Sequence, residues 1–432
     1  MPASSKKFRK ILNDLKRRPE DAAKDLGVSR NKIKEILKKR NFSDLSLIEK
    51  AVKVWPVNYS DFFHTEDDTK NNYKIFKLSE ANNSERVMYR GGKPYYSYKD
   101  TVMSKISPFR PEWIQELVVV DNNKATNAHV KFNNGHFLHQ FTYFIGPVNF
   151  YYIENGKKKC AVMNTGDSMY ISPYVPHTFT TRKNKENILG SILALTYTDK
   201  IDGEIINELS AIGYNLAKDY KINTSNKYKS FYENLNYHLN ASSISIHDIK
   251  QRLKIKISKN SLPNMKTINK IANYLKINLR DLLPPMKSKA VKIQKSNENR
   301  SWFYPSNSKK NYKFNELTSL PDLPLSKAYE LHIVSDKIKN QNLKIPCHQY
   351  IFNIGDSDCK IDILNTFKEN LNPGDSIYLK PNLKHSFSNK SKLLVLRIGG
   401  KVSGDVLYQM SMIDQKNLQR LVEDNLPWFN SK

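Results

Sequence analysis

At 432 residues the chain is too long for one typical domain and long enough for several cores; two to four domains are expected. It has no apolar run of the roughly 18 residues a membrane helix needs, its charged start lacks the apolar stretch of a secretory signal, and Cys160, Cys347 and Cys359 are too few for a disulfide framework, so a cytoplasmic protein with free thiols is expected. The net charge of +28 is read as a lysine-rich solvated background, because lysine outnumbers arginine about four to one and is spread along the chain, whereas nucleic-acid surfaces favour arginine. Nucleic acid is therefore not an expected partner, although the positive field suits a small dianion.

In chain order, Phe8, Ile11, Leu12 and Leu15 recur at helical spacing. Pro19-Glu20-Asp21-Ala22 opens a second helix, and Leu26-Gly27-Val28-Ser29 reads as a stop, a turn and a new N-cap. Ile33, Ile36 and Leu37 continue the stripe, and Ile48 to Val54 gives one more helix. Short strand patterns follow at 116–120, 141–145, 148–153, 168–172 and 192–197. A helix is expected over 203–220, and the Asn- and Ser-rich stretch 221–245 reads as the linker between halves. Ile268, Ile271, Ala272, Leu275, Leu279, Leu282 and Leu283 form a further helical set, closed by Pro284-Pro285.

A long-period duplication underlies this order. His139-Gln140 to Gly146 matches His348-Gln349 to Gly355 at an offset of 209, and Gly166-Asp-Ser to His177 matches Gly374-Asp-Ser to His385 at an offset of 208. The expected division is a helical region over 1–75, a β-barrel over 76–220, a linker with a second helical region over 221–290, and a second barrel over 291–432.

Gly135-His136-Phe-Leu-His139-Gln140 followed by Val175-Pro176-His177 carries the chemistry. Residues 136 and 140 share a face if the strand bends between them, and His177 lies 37 positions after Gln140, room for a hairpin and a return strand. Two imidazoles and one oxygen donor on one side of an ion leave the other side open, as in non-heme Fe(II) oxygenases. His139, His238 and His247 are read as ordinary satisfied residues. In the second half Ile345 stands where His136 would be, while Gln349 and His385 persist; that barrel is expected to be metal-free and to serve packing.

Both halves resemble cupins, in which a His-rich strand faces a Gly…Pro…His segment across a small barrel. The first half is similar to the cupin iron oxygenases of phosphonate metabolism, which join a helix-turn-helix-like region to the barrel. The resemblance implies an α+β tandem of helix-turn-helix-like domain and cupin jelly-roll barrel. It implies Fe(II) held by His136, Gln140 and His177, and 2-hydroxyethylphosphonate and O2 as reactants. Asn133, three before the first metal histidine, and Arg90, Tyr96 and Tyr98 in Arg90-Gly-Gly-Lys-Pro-Tyr-Tyr-Ser-Tyr98 match its phosphonate-binding positions. Lys16 matches its mobile or domain-bridging lysine, and Lys16 and Tyr98 are the implied catalytic side chains. Some relatives take a carboxylate at position 140 or six before the last histidine; here those residues are Gln140 and Ile171. That substitution is similar to the members that cleave the C–C bond to methylphosphonate and hydrogencarbonate or CO2. The alternative is cleavage to hydroxymethylphosphonate and formate. A homo-oligomer is expected.

Two other classes remain in view. Asn31 to Arg40 would serve as a basic recognition helix in a transcription regulator with a cupin sensor, which predicts salt-dependent binding to duplex DNA. A cupin isomerase or storage-type binder predicts no O2 consumption.

Overall fold

The computed structural model describes residues 2–423 except 108, 199, 259, 286–288, 307–308, 336–341 and 403. It is a mixed α and β protein whose helices gather mainly at 5–54 and 203–275 and whose strands gather at 73–197 and 291–398. The first helices, Ser5–Asp14, Pro19–Leu26, Arg30–Lys38 and Leu45–Val54, begin where the sequence offers caps. Ser4, Ser29 and Asp44 accept from the backbone N–H three residues on, and Gly27 closes the second helix in the left-handed region at φ +59°. Phe8, Ile11, Leu12, Ala22, Leu26, Ile33 and Ile48 meet in one small core.

The stretch 221–245 is not a linker. It contains the helix Lys227–Ala241, whose Phe231, Leu235 and Leu239 are buried with Ile249, Ile268 and Ile271 in a second helical core. Three apolar residues at i, i+4, i+8 suffice to dock a helix whose other faces are solvated. Over 203–220 the helix breaks: Gly203–Ile212 and Tyr214–Ala217 are separated by Gly213 at φ +83°.

Each β unit pairs a seven-stranded with a four-stranded sheet. In the first, strand Ser168–Ile171 lies beside His139–Ile145, which lies beside Ser191–Tyr197, and the opposing sheet carries Val148–Glu154 and His177–Arg182. Period-2 alternation sorts the side chains. Phe144, Met169, Ile171, Phe150 and Phe179 fill the interior between the two sheets, while Phe141, Tyr143, Tyr170 and Leu195 point the other way. There they meet Tyr350, Phe352, Tyr378 and Leu396 from the second unit, so the two large sheets sit back to back over a shared core.

The units also exchange strands. Tyr73–Phe76 pairs with Ser376–Leu379 in the second unit, and Val291–Gln294 pairs with Ser168–Ile171 in the first. Divisions at 75/76 and 290/291 therefore assign both strands to the half they do not pair with, a correction that periodicity could not supply. The repeated Gly-Asp-Ser segments hold the exchange. Asp167 accepts from Lys295 Nζ at 2.8 Å and Ser296 N at 2.9 Å; Asp375 accepts from Lys77 Nζ at 3.0 Å and Leu78 N at 2.8 Å. Each aspartate clamps the chain just after the strand donated by the other half, a pseudo-twofold arrangement.

Candidate metal centre

His136 lies in the loop ahead of strand His139–Ile145, and a glycine brings it into place. A Cβ at Gly135, which sits at φ +75°, would lie 2.5 Å from the carbonyl carbon of Tyr174. That close approach lets Tyr174 N donate to His136 O at 2.7 Å, tying the loop to the Pro173–Pro176 turn. The turn leads into His177, first residue of strand His177–Arg182. Asn133 spans the join: its Oδ1 accepts from His177 N at 2.8 Å and from Gly135 N at 3.0 Å. Gln140 sits on its strand between Ile171 and Thr196, facing the interior.

The three side chains predicted from the sequence converge. The His136 and His177 rings are 5.2 Å apart and nearly perpendicular. His136 Nδ1 donates to Leu138 O at 2.9 Å and His177 Nδ1 to Val175 O at 2.8 Å, since a carbonyl can only accept. In a neutral ring with Nδ1 donating, Nε2 carries the lone pair. Gln140 Nε2 donates to Thr142 Oγ1 at 2.9 Å, which turns Oε1 toward His136. That oxygen is 3.0 Å from His136 Nε2. Burial pulls His177 down to about 4, with the nearby His136 and Arg90 adding to the effect and the Val175 bond opposing it. Two imidazole nitrogens and an amide oxygen suit a divalent cation, each imidazole oriented by a carbonyl behind it. Ile171, fully buried opposite Gln140, offers no oxygen.

The expected anion anchors lie on the neighbouring strands. Arg90, at the end of Arg86–Arg90, donates to Lys131 O at 3.0 Å and Thr178 Oγ1 at 3.1 Å and lies 4.9 Å over the Tyr96 ring. Tyr96 is buried, its hydroxyl 2.8 Å from Thr178 Oγ1, the residue after His177. Tyr98 meets Tyr96 edge-on at 5.8 Å, and burial pushes its hydroxyl up to about 12. Asn133 Nδ2 is 3.3 Å from His177 Nε2. Lys16 is not brought to this cluster: it follows the first helix at φ +55°, and its ammonium donates to Asp14 O at 3.0 Å. His139 stacks between Tyr170 and Tyr197 and bonds the Tyr170 hydroxyl, a packing role as expected.

Glu116 escaped the sequence reading as a site residue. It is fully buried opposite Tyr96, and neither carboxylate oxygen has a hydrogen-bond partner among the described residues. Burial drives its pKa well up, with Arg90 opposing only in part. The available signal was a carboxylate in the inward phase of Arg110–Glu116, two after Ile114.

Known proteins share this architecture over the whole chain. The HEPD of Streptomyces albus, solved with its substrate 2-hydroxyethylphosphonate and Fe(II) bound, superposes with a TM-score of 0.91 at 29% identity, covering 98% of both chains. A 2-hydroxyethylphosphonate dioxygenase variant superposes at 0.71 and 16% identity, covering 96% of this chain and 99% of that one, a likeness of fold. No family model matches the chain. Fold and centre define an enzyme, an oxygenase of the phosphonate-processing kind. Methylphosphonate synthase of Nitrosopumilus maritimus (strain SCM1) is 44% identical, over 99% of this chain and 96% of its own length. The chain belongs to the methylphosphonate synthase family.

Proposed function

We propose that the protein uses Fe(II) and O2 to cleave the C–C bond of 2-hydroxyethylphosphonate, giving methylphosphonate and hydrogencarbonate or CO2. The reactants balance as written: one phosphonate and one O2 supply every atom and electron of methylphosphonate and carbonic acid. The observation that carries the reading is the convergence of the three side chains: Gln140 Oε1 lies 3.0 Å from His136 Nε2, and the His136 and His177 rings are 5.2 Å apart. His136, Gln140 and His177 hold the iron, which supplies O2 activation and polarises the bound hydroxyl. Three neutral donors leave the double charge of the ion undiminished, and a phosphonate oxygen offsets it. Arg90 and Asn133 grip that phosphonate, Tyr98 orients it, and the buried Tyr96 holds Thr178 and the strand beside the centre. Lys16 reaches the site only from another copy or after rearrangement of the helices, which fits a homo-oligomer.

The helical units are assigned as helix-turn-helix-like on the Gly27 turn between Pro19–Leu26 and Arg30–Lys38, and the β units as cupin barrels on their paired sheets. The first barrel is 77–220 completed by strand Val291–Gln294; the second is 295–432 with Tyr73–Phe76 added, its last residues 424–432 lying outside the described ones. No helix among the described residues is long and apolar enough to cross a membrane, and the three free cysteines suit a reducing cytoplasm. A DNA-binding regulator has no support from the family match.

Anaerobic reconstitution with Fe(II), addition of 2-hydroxyethylphosphonate and O2, and phosphorus NMR test the reading. Methylphosphonate is the expected product. Hydroxymethylphosphonate with formate would instead establish the dioxygenase outcome, and no O2 uptake would refute the oxygenase altogether.

A further inference from the structure

The second β unit repeats the first with three changes that fall on one spot. Gln349 and His385 occupy the places of Gln140 and His177. His385 Nδ1 donates to Leu383 O at 2.9 Å, so its Nε2 is again a buried lone pair. Both partners of the amide are gone, Ile345 replacing His136 and Ile351 replacing Thr142. In addition, Arg397 takes the cross-strand place beside Gln349 that Thr196 takes beside Gln140.

The result is a polar spot inside an apolar shell. Gln349 is 1% exposed, and neither of its amide atoms has a hydrogen-bond partner among the described residues. The same is true of His385 Nε2 and Arg397 Nε. Among the described residues no carboxylate forms an ion pair with Arg397; its guanidinium lies 4.9 Å over Tyr329 and 5.5 Å over Phe314. Strand phase turns Gln349 and Arg397 inward with Ile351, Leu393 and Val395, and the charge of Arg397 acts on His385. Buried donors and acceptors without partners are rare in native proteins, and four atoms on three neighbouring side chains mark an occupant.

We propose that Arg397, Gln349 and His385 form a second binding site, for a small oxyanion that keeps one O–H group. The chemistry follows from the inventory. Arg397 Nε and the Gln349 amide nitrogen donate and need anionic oxygens; His385 Nε2 and the Gln349 amide oxygen accept and need a hydroxyl. Hydrogencarbonate and the hydrogen forms of phosphate or a phosphonate meet both demands; formate and chloride lack the hydroxyl. The guanidinium brings to this interior the positive charge that a metal brings to the other. The assignment does not depend on the reaction proposed for the first unit.

The test uses full-length protein carrying His177→Ala and Arg90→Met, so that neither the metal ligands nor the guanidinium of the first centre contributes. Sodium hydrogencarbonate, inorganic phosphate, methylphosphonate, formate and chloride are compared at equal ionic strength by thermal melting and calorimetry. At least one of the first three is expected to raise Tm by about 5 °C at roughly a hundredfold above its Kd, with formate and chloride inert. Which of the three acts tells a carbonate source from a phosphorus one. Gln349→Leu and Arg397→Met, each added to that background, are expected to weaken binding at least tenfold. Should Arg397→Met not fold, Gln349→Leu, which fills the same volume without polar atoms, decides alone. Equal response to all five anions means that only water fills the space and overturns the site. So does a specific response that survives Gln349→Leu.

Discussion

One amide separates the two halves of this protein at the residue scale. Gln140 is oriented by Thr142 and faces His136; Gln349 has Ile351 and Ile345 in their places and pairs across the strand with Arg397. His136→Ala and His177→Ala are expected to abolish iron retention, read as metal per chain after reconstitution; wild-type stoichiometry in either would refute the ligand set. Gln140→Glu should keep iron but change the ratio of methylphosphonate to hydroxymethylphosphonate in phosphorus NMR, because a carboxylate removes one unit of charge from the centre. An unchanged ratio would remove residue 140 from control of the outcome. Gly135→Ala places a methyl 2.5 Å from the Tyr174 backbone at a φ that disfavours any side chain. It should cost about 1–3 kcal/mol of stability, seen in chemical denaturation, and disturb His136 far more than a change at the exposed Gly156.

At the scale of elements, the helix Lys227–Ala241 and the exchanged strands matter most. Leu235 is fully buried at the centre of the second helical core, so Leu235→Ala should cost about 2–5 kcal/mol. A linker would tolerate the change with no shift in the denaturation midpoint. The exchanged strands tie chain order to assembly. Asp375→Asn weakens the clamp on Lys77 and Leu78, and Asp167→Asn the clamp on Lys295 and Ser296. A fragment beginning at residue 221 lacks Tyr73–Phe76 and leaves the edge of Ser376–Leu379 bare; it should aggregate or stay unfolded unless residues 1–220 are supplied in trans.

Across the whole molecule, the two large sheets are joined by an apolar core and by Glu330. That carboxylate accepts from the Tyr143 hydroxyl of the first unit and pairs with Lys392 at 2.7 Å. Burial raises its pKa, but hydrogen bonds from His332, Lys392 and Tyr143 outweigh this and hold it at about 2. Nearby in the same interface His348, bonded to Tyr378, is held down to about 4 by burial. Both shifts favour the folded state at neutral pH. The unfolded chain takes up a proton at a histidine near pH 6.5 that the folded chain refuses until about 4, and at a glutamate near 4.5 that the folded chain refuses until about 2. Stability should fall as pH drops through 6.5 to 4 on account of His348, and again from 4.5 to 2 on account of Glu330. Urea denaturation at pH 7.5, 5 and 3.5 measures this, and Glu330→Gln should flatten the lower limb.

The sequence by itself determined the duplication, the first set of helices, most strands of the first β unit and the convergence of His136, Gln140 and His177. These are legible because capping residues, period-2 alternation and a Gly…Pro…His spacing are local signals. It mistook Lys227–Ala241 for a linker, because three apolar residues in a polar helix state only that a face exists, not what covers it. Only the tertiary structure decided that Tyr73–Phe76 and Val291–Gln294 trade places, that Glu116 is buried opposite Tyr96, and that Arg397 pairs across the sheet with Gln349. Each of those facts is a contact between residues distant in sequence, and strand pairing across a sheet leaves no periodic trace in the strands it joins.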